Sequence, residues 1–137
     1  MAEKIFVDSV YVIALINQRD QLHRQAEDLS ERFEGRSLLT TEAVMLEIGN
    51  ALSRSFKPQA VEVIEEFLGS EDMEIVPLAP ALFVRAFALY KTYLDKTWSL
   101  VDCISFIVMH DLGITQALTC DAHFRQAGFQ VLLEGPE

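Results

Sequence analysis

Four acidic residues lie at positions where an acid is not needed to keep a protein soluble. Asp8 directly follows the apolar segment IFV, and Asp121 directly follows the segment QALTC. Glu47 interrupts the apolar segment AVMLEIGNAL, and Asp102 interrupts the apolar segment WSLVDCISF. Most of the 21 Asp and Glu residues must lie on solvated helix faces, so these four are the candidates for chemistry.

Carboxylates that share a site need a cation. Two unit charges ~4 Å apart repel by ~4 kcal/mol at an effective dielectric constant near ~20, and without a cation one of them must protonate or move away. Mg²⁺ and Mn²⁺ prefer oxygen ligands, and such an ion can activate water and hold a phosphodiester. The 3 histidines show none of the spacings of a zinc site. The acids therefore indicate phosphoryl chemistry rather than zinc chemistry.

The elements that must position these acids alternate between short β-like segments and longer helical patterns. This alternation is typical of an α/β fold, with a parallel sheet and helices on its faces. The predicted strands cover residues 4–7, 36–40, 73–76, 116–120 and 130–133. The predicted helices cover about 10–16, 20–33, 41–55, 58–69, 79–93, 101–112 and 121–127, with Ser9 as the N-cap of the first.

This arrangement predicts that the four acids meet at one edge of the sheet. Functional groups of a parallel sheet gather at the carboxyl ends of its strands, where Asp8 and Asp121 lie. Each acid also has a structural alternative: Asp8 could end a strand, Asp121 could be an N-cap, and Asp102 could complement a helix N-terminus. Glu47 could pair with Arg54. Four such positions at the same edge favour a shared site over four unrelated structural roles.

The composition restricts the class of protein. A length of 137 residues is typical of one domain, and an apolar content of 50% excludes a mainly disordered chain. The net charge of −10 argues against a protein that holds nucleic acid by electrostatics alone, because phosphate neutralisation needs an excess of Lys and Arg. A nucleic-acid enzyme stays open, since a metal ion can supply the positive charge.

The sequence shows no obvious secretion or membrane signal. Glu3, Lys4 and Asp8 interrupt the early apolar residues, and no segment approaches the ~18 apolar residues that a membrane span needs. We therefore expect a soluble cytoplasmic protein, with no membrane partner, whose two cysteines stay reduced. Cys103 and Cys120 are interpreted as small buried apolar residues rather than ligands.

The segments FVDS, TTEAVMLEIGNAL, WSLVDCISF and TCDAHF, in this order, resemble the PIN-domain ribonucleases and, within them, the VapC-type toxins. The resemblance covers almost the whole chain and implies one PIN-like domain over residues 1–137. It implies a three-layer α/β/α sandwich with a five-stranded parallel sheet. It also implies a metal-dependent endoribonuclease that cleaves single-stranded RNA.

The resemblance further implies a role for each acid. Asp8, Asp102 and Asp121 would bind Mg²⁺ or Mn²⁺ directly or through water. Glu47 would complete the catalytic set and help to position or activate the attacking water. The small hydroxyl residues that would support the site are Ser9 and Thr119.

The resemblance also implies protein partners. VapC-type toxins usually form homodimers and are held inactive by a small antitoxin, which often inserts a basic side chain into the acidic pocket. A net charge of −10 suits a basic antitoxin. It suits equally well a PIN protein without an antitoxin, since solubility alone would favour it.

The segment 90–98 is less acidic than the rest of the chain, with a net charge of +1 and three aromatic residues. Aromatic rings can stack on unpaired bases while Lys contacts phosphate, and the alternative is that these rings pack against a helix end and the core. His123 is interpreted as a helix-start residue rather than a phosphate contact. The candidate RNA contacts are Arg54, Lys91, Lys96 and Trp98.

One function of another class stays open. A non-catalytic acidic α/β module that docks a basic protein partner would have the same acidic pattern. A phosphoacceptor domain of the receiver type would need a Lys after the last strand, and no Lys occurs after Lys96. A nucleotide-binding loop would need clustered glycines, and the 6 glycines are scattered.

Overall fold

The computed structural model describes residues 3–135, which form a five-stranded parallel sheet with helices on both faces. The predicted α/β/α fold class is confirmed. The strands lie in the order β3-β2-β1-β4-β5. Their bounds are β1 Ile5–Val7, β2 Leu38–Thr41, β3 Met73–Val76, β4 Gln116–Leu118 and β5 Gln130–Val131.

Seven helices connect and cover these strands in residues 3–135. The helices before β3 are α1 Ser9–Ile16, α2 His23–Arg32, α3 Glu42–Leu52 and α4 Lys57–Gly69. The helices after β3 are α5 Pro80–Thr92, α6 Leu100–Leu112 and α7 Ala122–Gln126. Within the same residues, no helix combines the length and the apolar character that a membrane crossing needs.

The central strand β1 explains why the sheet is buried on both faces. Its three residues, Ile5, Phe6 and Val7, have no solvent exposure. Phe6 lies opposite Leu39 of β2 and Ala117 of β4 in the parallel register. A strand that is apolar at every position fits a sheet that is covered by helices on both sides.

The strand order places a topological switch point between β1 and β4. From β1 the chain continues to β2 on one side, and from β4 it continues to β5 on the other side. Open parallel sheets bind ligands in the crevice at the carboxyl ends of such a strand pair. Asp8 follows β1 at this point, and Asp121 lies just beyond β4.

Helix α6 has well-defined ends that fix its first turn near the sheet edge. Ser99 and Asp102 form a reciprocal capping box at its N-terminus. At its C-terminus Gly113 adopts φ 67°, a left-handed conformation that glycine adopts without a steric penalty. The helix therefore begins where the sequence pattern predicts and presents Asp102 in its first turn.

Several predicted bounds differ from the structure: β5 ends at Val131 rather than at residue 133, and α3 ends at Leu52 rather than near residue 55. Strand β4 ends at Leu118 rather than at residue 120, because the Thr119 N–H donates to the carbonyl of Ala117 and turns the chain away from the ladder. Cys120 therefore lies outside the strand. Ser9 is the first residue of α1 rather than its cap, and Asp8 occupies the N-cap position without a capping hydrogen bond from its side chain.

Candidate active site

Asp8 lies where β1 passes into α1, within reach of the charges of Glu47 and Asp102. Its side chain is almost fully buried, with a relative exposure of 4%. The Thr119 hydroxyl donates to Asp8 Oδ2 at 2.8 Å. Thr119 comes from the turn after β4, so this hydrogen bond joins the ends of the two strands at the switch point.

Glu47 reaches the same group from the middle of α3. The Ser9 hydroxyl donates to Glu47 Oε1 at 3.0 Å, which fixes the carboxylate against the start of α1. The alternative pairing with Arg54 does not occur among the ion pairs of residues 3–135. Arg54 follows the end of α3 and is exposed.

Asp102 contributes from the first turn of α6. Its Oδ2 accepts from the Ser99 backbone N–H at 3.1 Å and lies 2.9 Å from His123 Nδ1. The capping role that the sequence suggested is therefore real. It occupies one carboxylate oxygen and leaves the other for a different function.

Asp121 is the N-cap of α7, as its structural alternative predicted. Its Oδ1 accepts from the His123 backbone N–H at 2.9 Å, and its own N–H donates to the Thr119 hydroxyl at 3.1 Å. Asp102, Asp121 and His123 each offer one ligand atom, and these atoms all lie within 4.8 Å of one another. Asp8 is not part of this compact group in residues 3–135.

The four acids share one pattern of hydrogen bonding. A protein donor fixes one carboxylate oxygen in each: Oδ2 of Asp8 and Asp102, Oε1 of Glu47 and Oδ1 of Asp121. For Glu47, Asp102 and Asp121, no side-chain hydrogen bond within residues 3–135 ends on the other oxygen. The Asp8 carboxyl also has the Ser9 backbone N–H as a neighbouring donor. Carboxylates that are oriented in this way, with one oxygen available, fit a hard divalent cation such as Mg²⁺ or Mn²⁺.

The electrostatics of the group agree with this donor set. Burial raises the pKa of Asp8 to about 7, and repulsion from Glu47 and Asp102 adds to the rise against the hydrogen bond from Thr119. Burial also raises the pKa of Glu47 above its usual range, with repulsion from Asp102 and Asp121 adding to it. The acids therefore lie close enough for their negative charges to repel one another, and a bound cation would offset that repulsion.

His123 is the residue of this group that sequence reasoning missed. Its ring bridges to Asp102, and its Nδ1 lies 3.3 Å from Asp121 Oδ1. The other ring nitrogen, Nε2, lies 3.0 Å from the Thr97 hydroxyl. Its place two residues after Asp121 was visible in the sequence, but nothing there indicated that the ring would meet a side chain of α6.

The two hydroxyl residues predicted to support the site contact its acids. Ser9 is bonded to Glu47, and Thr119 is bonded to both Asp8 and the backbone of Asp121. Ser9 and Thr119 are buried. Each can therefore orient a carboxylate without being exposed to solvent.

The three basic residues predicted to contact RNA lie outside the acidic group. Lys91 is exposed on α5, with its ammonium 5.1 Å from the centre of the Phe87 ring. Lys96 pairs with Asp95 at 3.4 Å. Together with Arg54, they make no ion pair with the acids of the site in residues 3–135.

The fourth predicted RNA contact, Trp98, packs into the structure. Its side chain has a relative exposure of 8%, and its indole N–H donates to Gln126 at 2.9 Å. Its ring meets Phe106 edge to face at 5.1 Å and lies 5.1 Å from Tyr93. This burial favours the packing alternative over stacking on a base.

Comparisons with known proteins agree with the fold. A family model described as PIN domain matches residues 5–130 of this chain. Among solved structures, the chain is similar to VapC20 of Mycobacterium tuberculosis, a sarcin-ricin loop cleaving toxin. The two are 27% identical with a TM-score of 0.83, and the match covers 92% of this chain and 96% of that chain.

Two more distant structures show the same fold. FitAcB from Neisseria gonorrhoeae is 13% identical, with a TM-score of 0.64 and a match over 93% of this chain and 95% of that chain. VapBC2 from Rickettsia felis, in a structure bound to a DNA fragment from the promoter, is 12% identical with a TM-score of 0.58. The match covers 93% of this chain and 96% of that chain. No curated protein matches the chain in sequence.

Proposed function

Because this chain belongs to the PIN domain family, we propose that it is a metal-dependent endoribonuclease that cleaves single-stranded RNA, and the toxin of a toxin–antitoxin pair. The family match confirms the resemblance seen in the sequence, and the similarity to VapC20 supports a nuclease of the VapC toxin type. The observation that carries the proposal is the set of four carboxylates, each with one oxygen held by a protein donor. We propose the cytoplasm as its place of action.

Asp8, Asp102 and Asp121 are proposed to hold Mg²⁺ or Mn²⁺. When bound, such an ion supplies Lewis-acid activation of the phosphodiester and of a water molecule. Donors of the protein orient these acids, since the Thr119 hydroxyl holds Asp8 and the Ser99 backbone N–H holds Asp102. This orientation is set before the substrate arrives, which lowers the cost of assembling the reactive geometry.

Glu47 is proposed to accept a proton from the attacking water. Burial raises its pKa, and a base is most effective when its pKa lies near the working pH. The Ser9 hydroxyl holds Oε1 and leaves Oε2 for the water. In the reaction, the water oxygen bonds to phosphorus, one ester P–O bond breaks, and the leaving oxygen receives a proton.

The substrate is proposed to be a single-stranded region of RNA. VapC20 cleaves the sarcin-ricin loop, so an RNA hairpin of that sequence is the first structured substrate to test. Lys91, Lys96 and Arg54 are proposed to contact phosphates beyond the reacting one, because a strongly acidic site needs positive charge along the path of the strand.

Two surfaces fit the proposed protein partners. The exposed apolar side chains of α5, which include Phe83, Val84 and Phe87, suit a homodimer contact. Between α3 and α4, a groove of 350 Å³ lies beside the exposed Leu46 and Leu68 and is lined by Glu42. An apolar groove of this kind, with one acidic residue at its edge, suits an amphipathic segment of a small antitoxin.

The test is cleavage of single-stranded RNAs and of the sarcin-ricin hairpin, with Mn²⁺ and with EDTA. The wild type is expected to cleave only with the metal. Asp8→Asn is expected to reduce the rate at least about 100-fold, because it removes an anionic ligand and keeps the side-chain shape. The matched control is Asp28→Asn, which changes the same net charge at an exposed position of α2.

The outcomes separate the enzyme from the binding module. Cleavage that needs both the metal and Asp8 supports the proposal. An equal loss of cleavage in Asp28→Asn would indicate a general charge effect, and cleavage that persists unchanged in Asp8→Asn would indicate a contaminating nuclease. No cleavage of any RNA by folded protein would favour the non-catalytic acidic module, and a basic protein partner would then be sought.

A further inference from the structure

The ring and backbone of His123 contact two acids that come from different elements. The ring nitrogen Nδ1 lies 2.9 Å from Asp102 Oδ2, at the start of α6. The backbone N–H of the same residue donates to Asp121 Oδ1 at 2.9 Å, at the start of α7. His123 therefore ties together two carboxylates that are 19 positions apart in the sequence.

The contacts of the ring favour a proton on Nδ1. Asp102 Oδ2 is an acceptor when the carboxyl is ionised, so the facing Nδ1 must carry a proton. The Thr97 hydroxyl lies 3.0 Å from Nε2 and can donate to it. This arrangement stabilises the tautomer with the proton on Nδ1, which is the donor form toward Asp102.

This geometry also argues against His123 as a metal ligand. An imidazole nitrogen that binds a metal must be unprotonated, and Nδ1 is engaged as a donor. Asp102 Oδ2 is shared between His123 and the Ser99 backbone N–H, which leaves Asp102 Oδ1 as its ligand atom. The contact therefore orients a ligand instead of adding one.

We infer that His123 is a positioning residue, whose Nδ1–H holds Asp102 and whose backbone N–H holds Asp121 so that their available oxygens converge on one divalent cation. This inference rests on the proposed function. Thr97 completes the arrangement, because its hydroxyl can donate to Nε2 when the proton is on Nδ1. Residues that orient ligands in this way typically contribute 10–100-fold to metal affinity.

The first test is Mn²⁺ affinity, measured by electron paramagnetic resonance of the free ion in the full-length protein. His123→Ala is expected to weaken Mn²⁺ binding by about 10–100-fold. His123→Asn is expected to recover most of that affinity, because its amide nitrogen can take the place of Nδ1 as a donor. His110→Asn is the matched control, since His110 is exposed on α6. The Mn²⁺ affinity of this variant should equal that of the wild type.

The second test needs no metal. Nitrogen-15 NMR of the metal-free wild type should show a proton on Nδ1 of His123. Thr97→Val removes the donor to Nε2 and keeps the side-chain shape, so it is expected to lower the population of this tautomer, and Thr97→Ser should restore it. A neutral ring with its proton on Nε2 would overturn the inference.

The remaining outcomes separate this inference from the proposed function. Tight Mn²⁺ binding and RNA cleavage that His123→Ala leaves unchanged would overturn the role of His123 and leave the nuclease intact. A strong coupling between bound Mn²⁺ and an imidazole nitrogen, lost in His123→Asn, would make His123 a ligand and overturn its role as a donor. A wild type that binds no Mn²⁺ would overturn both the metal site and this role.

Discussion

The ionisation of Asp8 links the active site to the stability of the fold. Its pKa is raised from 3.8 to about 7 by burial first, and then by Glu47 and Asp102. A carboxyl whose pKa is raised in the folded state favours folding when it is protonated. Its contribution to the free energy of unfolding is therefore fully present below about pH 4. That contribution is lost as the pH rises toward 7.

We therefore predict that, in EDTA, Asp8→Asn is more stable than the wild type at pH 8 by about 2 to 4 kcal/mol. A shift of one pKa unit corresponds to ~1.4 kcal/mol, and Asn removes the cost of ionisation while its oxygen can still accept from Thr119. Urea unfolding at pH 4 and pH 8 measures the difference, which should nearly vanish at pH 4. A variant that is less stable at pH 8 would show that the carboxylate itself holds the fold.

The four acids could be selected as candidates from their sequence neighbours, because an acid within or directly after an apolar segment is not needed for solubility. The supporting hydroxyls Ser9 and Thr119 contact these acids, as the resemblance implied. His123 could not be assigned from its spacing, because its ring meets Asp102 only after α6 and α7 pack together. A tertiary contact of this kind leaves no periodic signal in the sequence.

At the level of the element, the N-terminus of α6 serves both stability and the site. The Ser99 hydroxyl accepts from the Asp102 N–H at 3.0 Å, and the Ser99 N–H donates to Asp102 Oδ2 at 3.1 Å. The first bond caps the helix, and the second orients the proposed ligand. Only the first bond depends on the side chain of Ser99.

We therefore predict that Ser99→Ala lowers the free energy of unfolding by about 1 kcal/mol, the usual cost of losing a cap. The Mn²⁺ affinity should stay within about twofold, because the backbone donor to Asp102 remains. Ser99→Thr, which keeps a capping hydroxyl, should restore the stability. An affinity loss as large as that expected for His123→Ala would mean that the cap hydroxyl orients the carboxylate.

The elements themselves could largely be predicted, because their apolar periods and end signals are local. All five strands and seven helices of residues 3–135 match predicted segments. The predicted ends of β4 and β5 both lie two residues too late. For β4 the reason is that the apolar segment QALTC continues past the point where Thr119 turns the chain. That turn serves the site, because it brings the Thr119 hydroxyl to Asp8.

At the scale of the molecule, the order of the strands in the sheet determines which residues are brought together at the site. Asp8 and Asp121 come to the same edge of the sheet because β1 and β4 are neighbours, although more than 100 residues lie between them in the sequence. The sequence predicted that both acids follow strands of one parallel sheet, and the family resemblance supplied the architecture. Propensities along the chain carry no information on which strands pair, so the pairing itself required the structure.

The exposed face of α5 gives the whole molecule a surface that a monomer would not need. Phe83, Val84 and Phe87 lie within two turns of the helix and are 45%, 65% and 42% exposed, while Ala86 faces the core. Apolar side chains that are contiguous in this way mark interaction surfaces in soluble proteins. A second copy of the chain is the proposed occupant.

We predict that the wild type sediments at about twice its chain mass of 15.5 kDa and that Val84→Glu sediments as a monomer. A charge at the centre of an apolar contact cannot be desolvated without a large cost, whereas the same charge on an isolated helix surface is well tolerated. Leu68→Glu is the matched control, because Leu68 is similarly exposed on α4 and should leave the dimer intact. A monomeric wild type at high protein concentration, or a dimer that persists in Val84→Glu, would contradict an α5 interface.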